Sequence, residues 1–376
     1  MWVLLMIVGV PKEIKNHEYR VGLTPSSVIE LVKHGHSVIV EHDAGAAIDF
    51  IDEEYVAAGA KIVRKAEDIF SMAEMIIKVK EPQPQECKML KEGQILYTYL
   101  HLAPDPDQTK LLVESGATCV AYETVTDSLG GLPLLAPMSE VAGRMSVQAG
   151  AHHLEKAQGG RGVLLAGVPG VAPAKVLVIG GGVVGDNAAS MAVGMNADVT
   201  ILDRSIARLR QLDNEYEGRA RCVFSTAAAI EEYALEADLI IGAVLIPGAA
   251  APKLLSRDLI KRMKKGSVIV DVAIDQGGCF ETSNAPTHET PTYVVDDVVH
   301  YCVANMPGGV ARTATMALNN ATLPFAIALA NDPVNALFTN ADLQNGLNVH
   351  KGIITYKAVA EALGYPYVPA DEALKS

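Results

Sequence analysis

A glycine-rich turn near the middle of the chain constrains the fold more than any other segment. Four apolar residues, Val176–Ile179, lead directly into the pattern G-x-G-x-x-G at Gly180, Gly182 and Gly185. A segment of small residues, DNAASMAVGM, comes next, followed by a second apolar run, DVTILD, which ends in Asp203, 23 residues after the first glycine. A strand, a glycine turn, a helix and a second strand ending in an acid together predict a βαβ unit that binds a dinucleotide, the Rossmann arrangement.

Each part of this unit has a chemical purpose. Gly180 permits the tight turn, Gly182 lets the backbone approach the pyrophosphate, and Gly185 brings helix and strand close together. The start of the helix supplies N–H donors and a positive dipole end. Asp203 can accept both ribose hydroxyls and would repel a 2′-phosphate, which favours NAD, although Arg204 beside it leaves weak NADP binding open. The alternative is a glycine turn used only for packing.

Composition limits the class of protein. A length of 376 residues predicts two domains, and 49% hydrophobic with 20% charged residues is typical of globular chains. A net charge of −13 argues against a nucleic-acid partner, because phosphate binding needs a basic surface. The cysteines are odd in number and never form a CxxC pair, so we expect free thiols, no zinc site and a cytoplasmic protein: Cys87, Cys119, Cys222, Cys279 and Cys302.

The apolar start of the chain, MWVLLMIVGV, has some similarity to a signal peptide. It lacks a basic beginning and a cleavage site, and Pro11 ends it after ten residues, so we expect a buried first strand. No apolar run approaches the roughly 20 residues that a membrane-spanning helix needs.

Short apolar runs alternate with helical patterns in both halves, which predicts an α/β fold with two doubly wound parallel sheets. Thr24 and Pro25 should begin a helix between the first two strands, and Gly35 should end it. The predicted strands are Ile7–Val10, Ser37–Val40, Lys61–Val63, Met75–Val79, Gln94–Tyr99, Thr118–Ala121, Val176–Ile179, Val199–Leu202, Leu239–Gly242, Val268–Val272 and Tyr293–Val295.

The domain boundaries follow from two further helical patterns. Ser139 should open a long helix that ends near Gly159, and Ala311–Ala330 should form a buried helix despite Pro324. Because a lone helical tail cannot bury itself, we expect it to pack on the first domain. Residues 136–307 are then the NAD-binding Rossmann domain, and residues 1–135 together with 308–376 are a discontinuous substrate domain.

Ligands of open parallel sheets bind beyond the carboxyl ends of the strands, where this chain has several cations. Arg20 follows the first predicted strand and could clamp a carboxylate with its planar guanidinium; it could equally be a solvated surface arginine. Lys80 ends the run MIIKVK, with Lys78 two residues earlier on the same face of the strand. Either lysine could bind a carboxylate or carbonyl oxygen, or simply be a solvated charge.

An acid/base group and a carboxylate occupy equivalent places. His101 follows QILYTYL and titrates near neutral pH, which suits general acid/base catalysis; a hydrogen-bonded core histidine is the alternative. Asp275 follows VIVDVAI and precedes a glycine pair, where it could face a nicotinamide or could merely cap the turn. Together the four side chains suit oxidation of a small carboxylic acid, a reaction that requires no metal.

Several segments of the chain are similar to the alanine dehydrogenase family, whose superfamily also holds the NAD-binding subunit of nicotinamide nucleotide transhydrogenase. The matching segments span nearly the whole chain: GVPKEIKNHEYRVGLTP, KVKEP, LYTYLHLA, AYETV, LAPMSEVAGRMSVQAGAHHLE, GGRGVLLAGVPGV, VLVIGGGVVG, GSVIVDVAIDQGG and VANMPGGVARTAT.

The resemblance implies two Rossmann-like domains with the active site in the cleft between them, a homohexamer, and reversible NAD-dependent oxidation of L-alanine to pyruvate and ammonia. It implies that Arg20 and Lys80 bind substrate, and that His101 and Asp275 act in catalysis. The cofactor contacts implied beside the glycine turn (Gly180, Gly182 and Gly185) are Ser139, Val184, Asp203, Arg208, Ser225, Leu245, the loop from Val272 to Asp275, Asn305 and Met306.

Three alternatives stay open at this point. The first is a transhydrogenase subunit, which would not need Arg20 and His101 together. The second is a saccharopine-type dehydrogenase, which would need a larger cleft, and the third is a non-catalytic NAD sensor.

Overall fold

The computed structural model describes residues 5–244 and 251–375, and the side chain of Gln276 is outside that description. The chain divides into two compact units. Unit 1 comprises residues 1–138 and 310–376, and unit 2 comprises residues 139–309. Among the described residues, no helix has the length and apolar character needed to cross a membrane.

Strands of three to six residues dominate both units. In chain order they are β1 Ile7–Val10, β2 Ser37–Glu41, β3 Lys61–Val63, β4 Met75–Ile77, β5 Ile95–Thr98, β6 Thr118–Ala121, β7 Lys175–Ile179, β8 Asp198–Asp203, β9 Ala220–Phe224, β10 Leu239–Gly242, β11 Val268–Asp271, β12 Thr292–Val295, β13 Val298–Tyr301, β14 Leu347–His350 and a two-residue β15 Ile353–Ile354.

Helices connect most of the parallel strands. They are α1 Pro25–Lys33, α2 Asp52–Ala57, α3 Ala66–Met72, α4 Pro84–Cys87, α5 Pro106–Ser115, α6 Ala136–His153, α7 Val183–Gly194, α8 Ile206–Tyr216, α9 Ala227–Glu236, α10 Arg257–Ile260, α11 Ala311–Asn331, α12 Pro333–Thr339, α13 Ala341–Gln344, α14 Lys357–Leu363 and α15 Ala370–Ala373.

Unit 1 is built on an eight-stranded sheet in the order β15-β14-β6-β5-β4-β1-β2-β3. Its six N-terminal strands are parallel, and β14 adds antiparallel to β6. The strand order reverses between β1 and β4, so the loops that leave these strands diverge at the carboxyl edge of the sheet. Such a switch point is where open α/β sheets bind ligands.

Unit 2 is built on a seven-stranded sheet in the order β12-β13-β11-β10-β7-β8-β9. All neighbours are parallel except the edge hairpin of β12 and β13. The order reverses between β7 and β10, and the glycine turn follows β7. The dinucleotide motif therefore lies at the switch point of its own sheet.

The predicted α/β class with two mostly parallel sheets is confirmed, as are the helix cap at Thr24 and the five free cysteines. The last predicted strand is not parallel but antiparallel, as β12 of the hairpin. Strands β9, β13, β14 and β15 were not predicted. The segment that forms β9, ARCVF, contains one charged residue and is only partly buried, which is typical of an edge strand and gives no continuous apolar run in the sequence.

The long helix α6 begins three residues earlier than predicted, at Ala136 instead of Ser139. Pro137 lies in its first turn, where a missing N–H breaks no helical hydrogen bond. The helix also ends at His153, well before Gly159, because the chain then folds back and Gly160 N–H donates to Glu155 O. Helix α11 extends over Pro324 as expected and belongs to unit 1.

Buried charges link the loops of unit 1. Lys78 has no exposed surface, and its Nζ lies 3.0 Å from Glu13 Oε2 and 2.8 Å from Glu86 Oε1. Burial alone would lower the pKa of Lys78, but the two carboxylates outweigh it and raise that pKa. Burial also raises the pKa of Glu13, which Lys78 only partly opposes. Lys78 is thus a structural cation.

Replacing this cation should destabilise the fold. In Lys78→Met, Glu13 and Glu86 stay buried without a counter-charge, and we expect a loss of about 3–5 kcal/mol in the free energy of unfolding at pH 7. The loss should shrink as the pH is lowered, because Glu13, whose pKa is already raised, then binds a proton in the folded state. Urea unfolding followed by circular dichroism measures both effects.

The exposed Lys88, at the end of α4, provides the control. Lys88→Met should change the unfolding free energy by less than about 0.5 kcal/mol. Equal stabilities of the Lys78 and Lys88 variants would contradict the structural role of Lys78.

Candidate functional site

The glycine turn of unit 2 has the geometry that a pyrophosphate requires. Gly180 has φ +103°, and a Cβ there would lie 2.7 Å from the carbonyl oxygen of Ala243. A Cβ at Gly185 would overlap the carbonyl oxygen of Gly180. Gly182, the N-cap of α7, has no atom of the described residues within 4 Å of a built Cβ. The space before the helix N-terminus suits a phosphate group.

Asp203 is oriented by backbone donors. Its Oδ2 accepts from Gly181 N–H and its Oδ1 from Ser205 N–H, both at 2.7 Å. Each carboxylate oxygen has a second lone pair, so the side chain can still accept ribose hydroxyls.

Arg208, another predicted cofactor contact, braces the turn. Its Nε donates to Gly181 O at 2.6 Å, and its Nη2 to Asp186 Oδ2 at 2.6 Å. Asp186 also accepts from the Tyr216 hydroxyl at 2.6 Å. Arg208 therefore fixes the turn against α8 through side-chain bonds within the protein.

A cavity of about 630 Å³ lies beyond β8 and β9 in the same unit. Ser225, a predicted cofactor contact, lines it together with Arg204, and Ser225 N–H donates to Asp203 O at 2.9 Å. Apolar side chains including Phe224 and Ile230 form another part of the wall. A heteroaromatic ring with a polar ribose beside Asp203 would fit these surroundings.

The other predicted cofactor contacts have distinct positions. Ser139 is half-buried in α6, which comes so close to α7 that a Cβ at Gly143 would overlap the carbonyl oxygen of Val184. Val184 lies in the first turn of α7 and is buried. Leu245 lies outside the described residues.

Two of these contacts lie close to the end of unit 2. Asn305 has a left-handed φ of 57°, and its carbonyl oxygen lies 3.2 Å from His288 Nε2. Met306 beside it is buried.

The loop after β11 presents the exposed Asp275 on a 3₁₀ turn, Ile274–Gln276, in which Ile274 is buried. Asp275 makes no side-chain hydrogen bond with the described part of the chain, and the N-cap of the turn is Ala273, so the described residues give no support to a turn-capping aspartate. Val272, at the start of this loop, donates its N–H to Gly242 O at 3.0 Å. The strand end is thereby tied to β10.

The turn is organised by Asp271, which the sequence analysis missed. Its buried carboxylate accepts from Ala273 N–H at 3.1 Å, Cys279 N–H at 2.7 Å and the Ser283 hydroxyl at 2.5 Å. Burial raises the pKa of Asp271, although these hydrogen bonds oppose the shift. Its position as the last residue of a buried strand was the available signal.

In unit 1, Arg20 is not a solvated surface arginine, because only 2% of it is exposed. Its Nε and Nη2 bind the two oxygens of Glu18 at 2.7 and 2.6 Å, and its Nη1 lies 3.1 Å from Met138 Sδ. A bidentate contact with a substrate carboxylate would have to use the Nη1–Nη2 edge. Glu18, two residues away in the sequence, was missed as its partner.

The ambiguity between the two lysines is resolved by burial. Strand β4 ends at Ile77, so neither lysine continues the strand. Lys78 is the buried structural cation, while Lys80 is half-exposed and donates its backbone N–H to Glu13 Oε1 at 3.2 Å. Of the two, only Lys80 presents its ammonium where a ligand can reach it.

His101 is not a core histidine, because 47% of its side chain is exposed. Its backbone adopts φ 50°, and Glu123 stabilises this conformation by accepting its N–H at 2.6 Å. Glu81 was also missed: its Oε2 lies 4.0 Å from His101 Nδ1.

The three side chains predicted in unit 1 belong to adjacent strand ends. Arg20 follows β1, Lys80 follows β4 and His101 follows β5, and these strands pair in the order β1-β4-β5. At this sheet edge the two cations, Arg20 and Lys80, can bind a carboxylate. The exposed imidazole of His101 can exchange a proton.

Comparisons with known proteins find family matches for both the N-terminal and the C-terminal part of the chain. The family model "Alanine dehydrogenase/PNT, N-terminal domain" matches residues 9–142, and "Alanine dehydrogenase/PNT, C-terminal domain" matches residues 146–357. An alanine dehydrogenase of Halomonas elongata is 64% identical over 366 residues, which are 97% of this chain and 99% of that protein.

Solved structures give a similar result. The structure of an L-alanine dehydrogenase has a TM-score of 0.93 at 53% identity, covering 96% of this chain and 99% of that one. A transhydrogenase from Sinorhizobium meliloti has a TM-score of 0.80 at 27% identity, covering 94% of this chain and 99% of that one.

The open space at Gly182 permits a sharp test. Gly182→Ala adds a methyl group that meets no atom of residues 5–244 and 251–375 within 4 Å but would occupy the approach to the pyrophosphate. We expect a small loss of thermal stability, because alanine is a poorer N-cap than glycine, and a dissociation constant for NADH raised about tenfold or more, which is about 1.4 kcal/mol. Titration calorimetry measures the affinity.

Gly194 in α7 is the matched control, since its built Cβ also meets no atom within 4 Å in the part of the chain that the structure describes. Gly194→Ala should leave NADH binding intact and stabilise the helix by up to about 1 kcal/mol. If both variants bound NADH like the wild type, the assignment of the turn would be wrong.

Proposed function

Since this chain belongs to the alanine dehydrogenase/PNT family, we propose that it is an L-alanine dehydrogenase that oxidises L-alanine to pyruvate and ammonia with NAD. The family and the fold imply a pyridine nucleotide cofactor. The choice of NAD rests on Asp203, whose carboxylate is oriented at the end of β8. The observation that supports the substrate best is the grouping of Arg20, Lys80 and His101 at adjacent strand ends of unit 1.

The transhydrogenase alternative has weaker support. The similarity to L-alanine dehydrogenase is 53% in identity at a TM-score of 0.93, against 27% and 0.80 for the transhydrogenase. An alanine carboxylate also gives a purpose to Arg20 and Lys80, whereas hydride exchange between two nucleotides needs no carboxylate site.

Substrate binding is the first task of unit 1. Lys80 and the Nη1–Nη2 edge of Arg20 would hold the alanine carboxylate, and Glu18 fixes the guanidinium before substrate arrives. Holding the reacting atoms in a fixed geometry can remove several kcal/mol from a barrier, up to about 7–11 in the best cases. The glycine turn and Asp203 of unit 2 would hold a pyridine nucleotide, which would supply the acceptor for the hydride on Cα of the neutral amine.

Proton transfer is the task of His101. The oxidised substrate is an iminium, and His101 would take a proton from the water that adds to it. It would then return the proton as the carbinolamine collapses to pyruvate and ammonia. The exposed ring suits this role because it can reach water.

Asp275 would stabilise the positive charge of the iminium and of the departing ammonium. Asp271 supports it by holding the loop after β11 in place through three hydrogen bonds. We also propose that the protein is cytoplasmic and forms a homohexamer, for which light scattering should give about six times the 39.8 kDa chain.

Alanine-dependent formation of NADH by the purified protein tests the proposed function. Absorbance at 340 nm should rise with L-alanine and NAD, and no rise should occur with saccharopine. His101→Ala should lower kcat by about 10²–10⁴-fold, and Asp275→Asn by about 10²-fold, while both still bind NADH.

The exposed His34 gives the control for these variants. His34→Ala should keep the wild-type kcat. Near-normal turnover in His101→Ala or Asp275→Asn would remove that residue from the mechanism, and absence of NADH formation in the wild type would overturn the proposed function.

Cofactor choice has its own test. Asp203→Ala removes the acceptor for the ribose hydroxyls and the repulsion of a 2′-phosphate. The value of kcat/KM for NAD should therefore fall, and the ratio of kcat/KM for NAD to kcat/KM for NADP should decrease by about tenfold or more. Initial rates with the two cofactors at saturating alanine measure this ratio. An unchanged preference would refute the ribose contact.

A further inference from the structure

Glu81 has a buried carboxylate oxygen that the mechanism above does not use. Its Oε1 binds Lys15, while its Oε2 is buried and has no hydrogen-bond partner in the described structure. Only 14% of the side chain is exposed. A buried carboxylate oxygen without a partner is costly, so its presence calls for a donor that arrives in the working state.

Among the described residues, His101 has a ring nitrogen close to this oxygen. Its Nδ1 lies 4.0 Å from Glu81 Oε2, which is too long for a hydrogen bond, but a small rotation of the half-exposed ring would close the distance. Hydrogen bonds of catalytic groups are often long before substrate binds.

The other groups around His101 do not compete for this role. Glu123 binds the backbone N–H groups of Leu100 and His101. The Tyr99 ring lies 5.8 Å from the imidazole, and its hydroxyl donates to Leu134 O at 2.6 Å. Lys15 and Lys80 are the cations beside Glu81.

We propose that Glu81 is a positioning residue for His101: its Oε2 accepts the Nδ1–H, which directs Nε2 toward the reacting water. This rests on the proposed function. Fixing Nδ1–H selects one tautomer and one ring orientation, as a carboxylate does behind the histidine of other acid/base pairs. Lys15 holds the opposite oxygen, so the carboxylate is anchored before His101 turns to it.

The charge state of Glu81 suits this role. Burial alone would raise its pKa, but Lys80 and Lys15 outweigh burial and hold the pKa of Glu81 below its usual value. The carboxylate therefore stays ionised throughout the range in which a histidine titrates.

The test uses Glu81→Gln in the full-length protein, with two readouts. The pH dependence of modification of His101 by diethyl pyrocarbonate, followed by peptide mass spectrometry, gives its pKa without substrate or cofactor. Loss of a nearby negative charge should lower that pKa by about 1 unit. In the pH profile of kcat for alanine oxidation, the acidic limb should move to lower pH by the same amount. The plateau value of kcat should be about 10–100-fold lower, and KM for NAD should be unchanged.

Two further variants keep the result interpretable. Lys15→Met removes a half-exposed cation and leaves Glu81 in place, so the pKa of His101 should rise, opposite to the effect of Glu81→Gln. Glu114→Gln removes an exposed carboxylate that pairs with Lys110 on α5 and should change neither readout.

The outcomes distinguish the positioning role of Glu81 from the proposed alanine dehydrogenase activity. If alanine is oxidised but neither the pKa of His101 nor the acidic limb moves in Glu81→Gln and Lys15→Met, Glu81 does not position His101. A plateau that falls with no shift in either quantity would indicate a merely structural role and overturn the proposal as well. If the pKa shifts but the wild type oxidises no alanine, the pairing stands and the proposed function fails.

Discussion

The carboxylate of Glu13 joins the two loops on which the candidate substrate site of unit 1 depends. It lies in the loop after β1, yet its Oε1 accepts the backbone N–H groups of Val79 and Lys80, and its Oε2 binds the ammonium of Lys78. The loop of Arg20 and the exit of β4 are therefore fixed to each other by one buried side chain. This arrangement requires Lys78, because a carboxylate buried alone would cost several kcal/mol. The buried cluster of Glu13, Lys78 and Glu86 thus makes the structure rigid at the point where the strand order reverses.

The same logic recurs at the neighbouring side chains. Arg20 is held by Glu18, the backbone of His101 by Glu123, and the loop of Asp275 in unit 2 by Asp271. In each case a buried or half-buried carboxylate accepts hydrogen bonds that hold the donor groups in place. Groups held in this way lose less conformational entropy when a ligand binds, so more of the binding free energy is available for affinity and orientation.

The part of the site made by the backbone could be predicted from sequence, because its signals are local. Gly180 and Gly185 allow no Cβ, and Asp203 follows at a fixed spacing, so the motif itself specifies the turn. The binding and catalytic side chains of the site could be predicted only as candidates. Lys78 and Lys80 stayed ambiguous, although Lys80 was expected to lie nearer the strand end, because a strand was expected to continue to Val79, and it ends at Ile77. The partners of Lys78 lie 65 residues before it and 8 residues after it in the chain, and no periodicity indicates such contacts.

Several strands at or beside the sheet edges, like the buried charges, could not be predicted from local sequence patterns. Strand β14 pairs antiparallel with β6 although more than 200 residues separate them in the sequence. Its four residues, LNVH, are too short and too polar to differ from a loop in the sequence, and pairing with a buried strand gives them their β-structure. Local patterns thus predict the central strands and the glycine turn, whereas the edges and the buried charges depend on contacts that exist only in the folded chain. The second group includes the residues that orient Arg20, Lys80 and His101, so in this protein a candidate side chain is easier to identify from sequence than the contacts by which it is held.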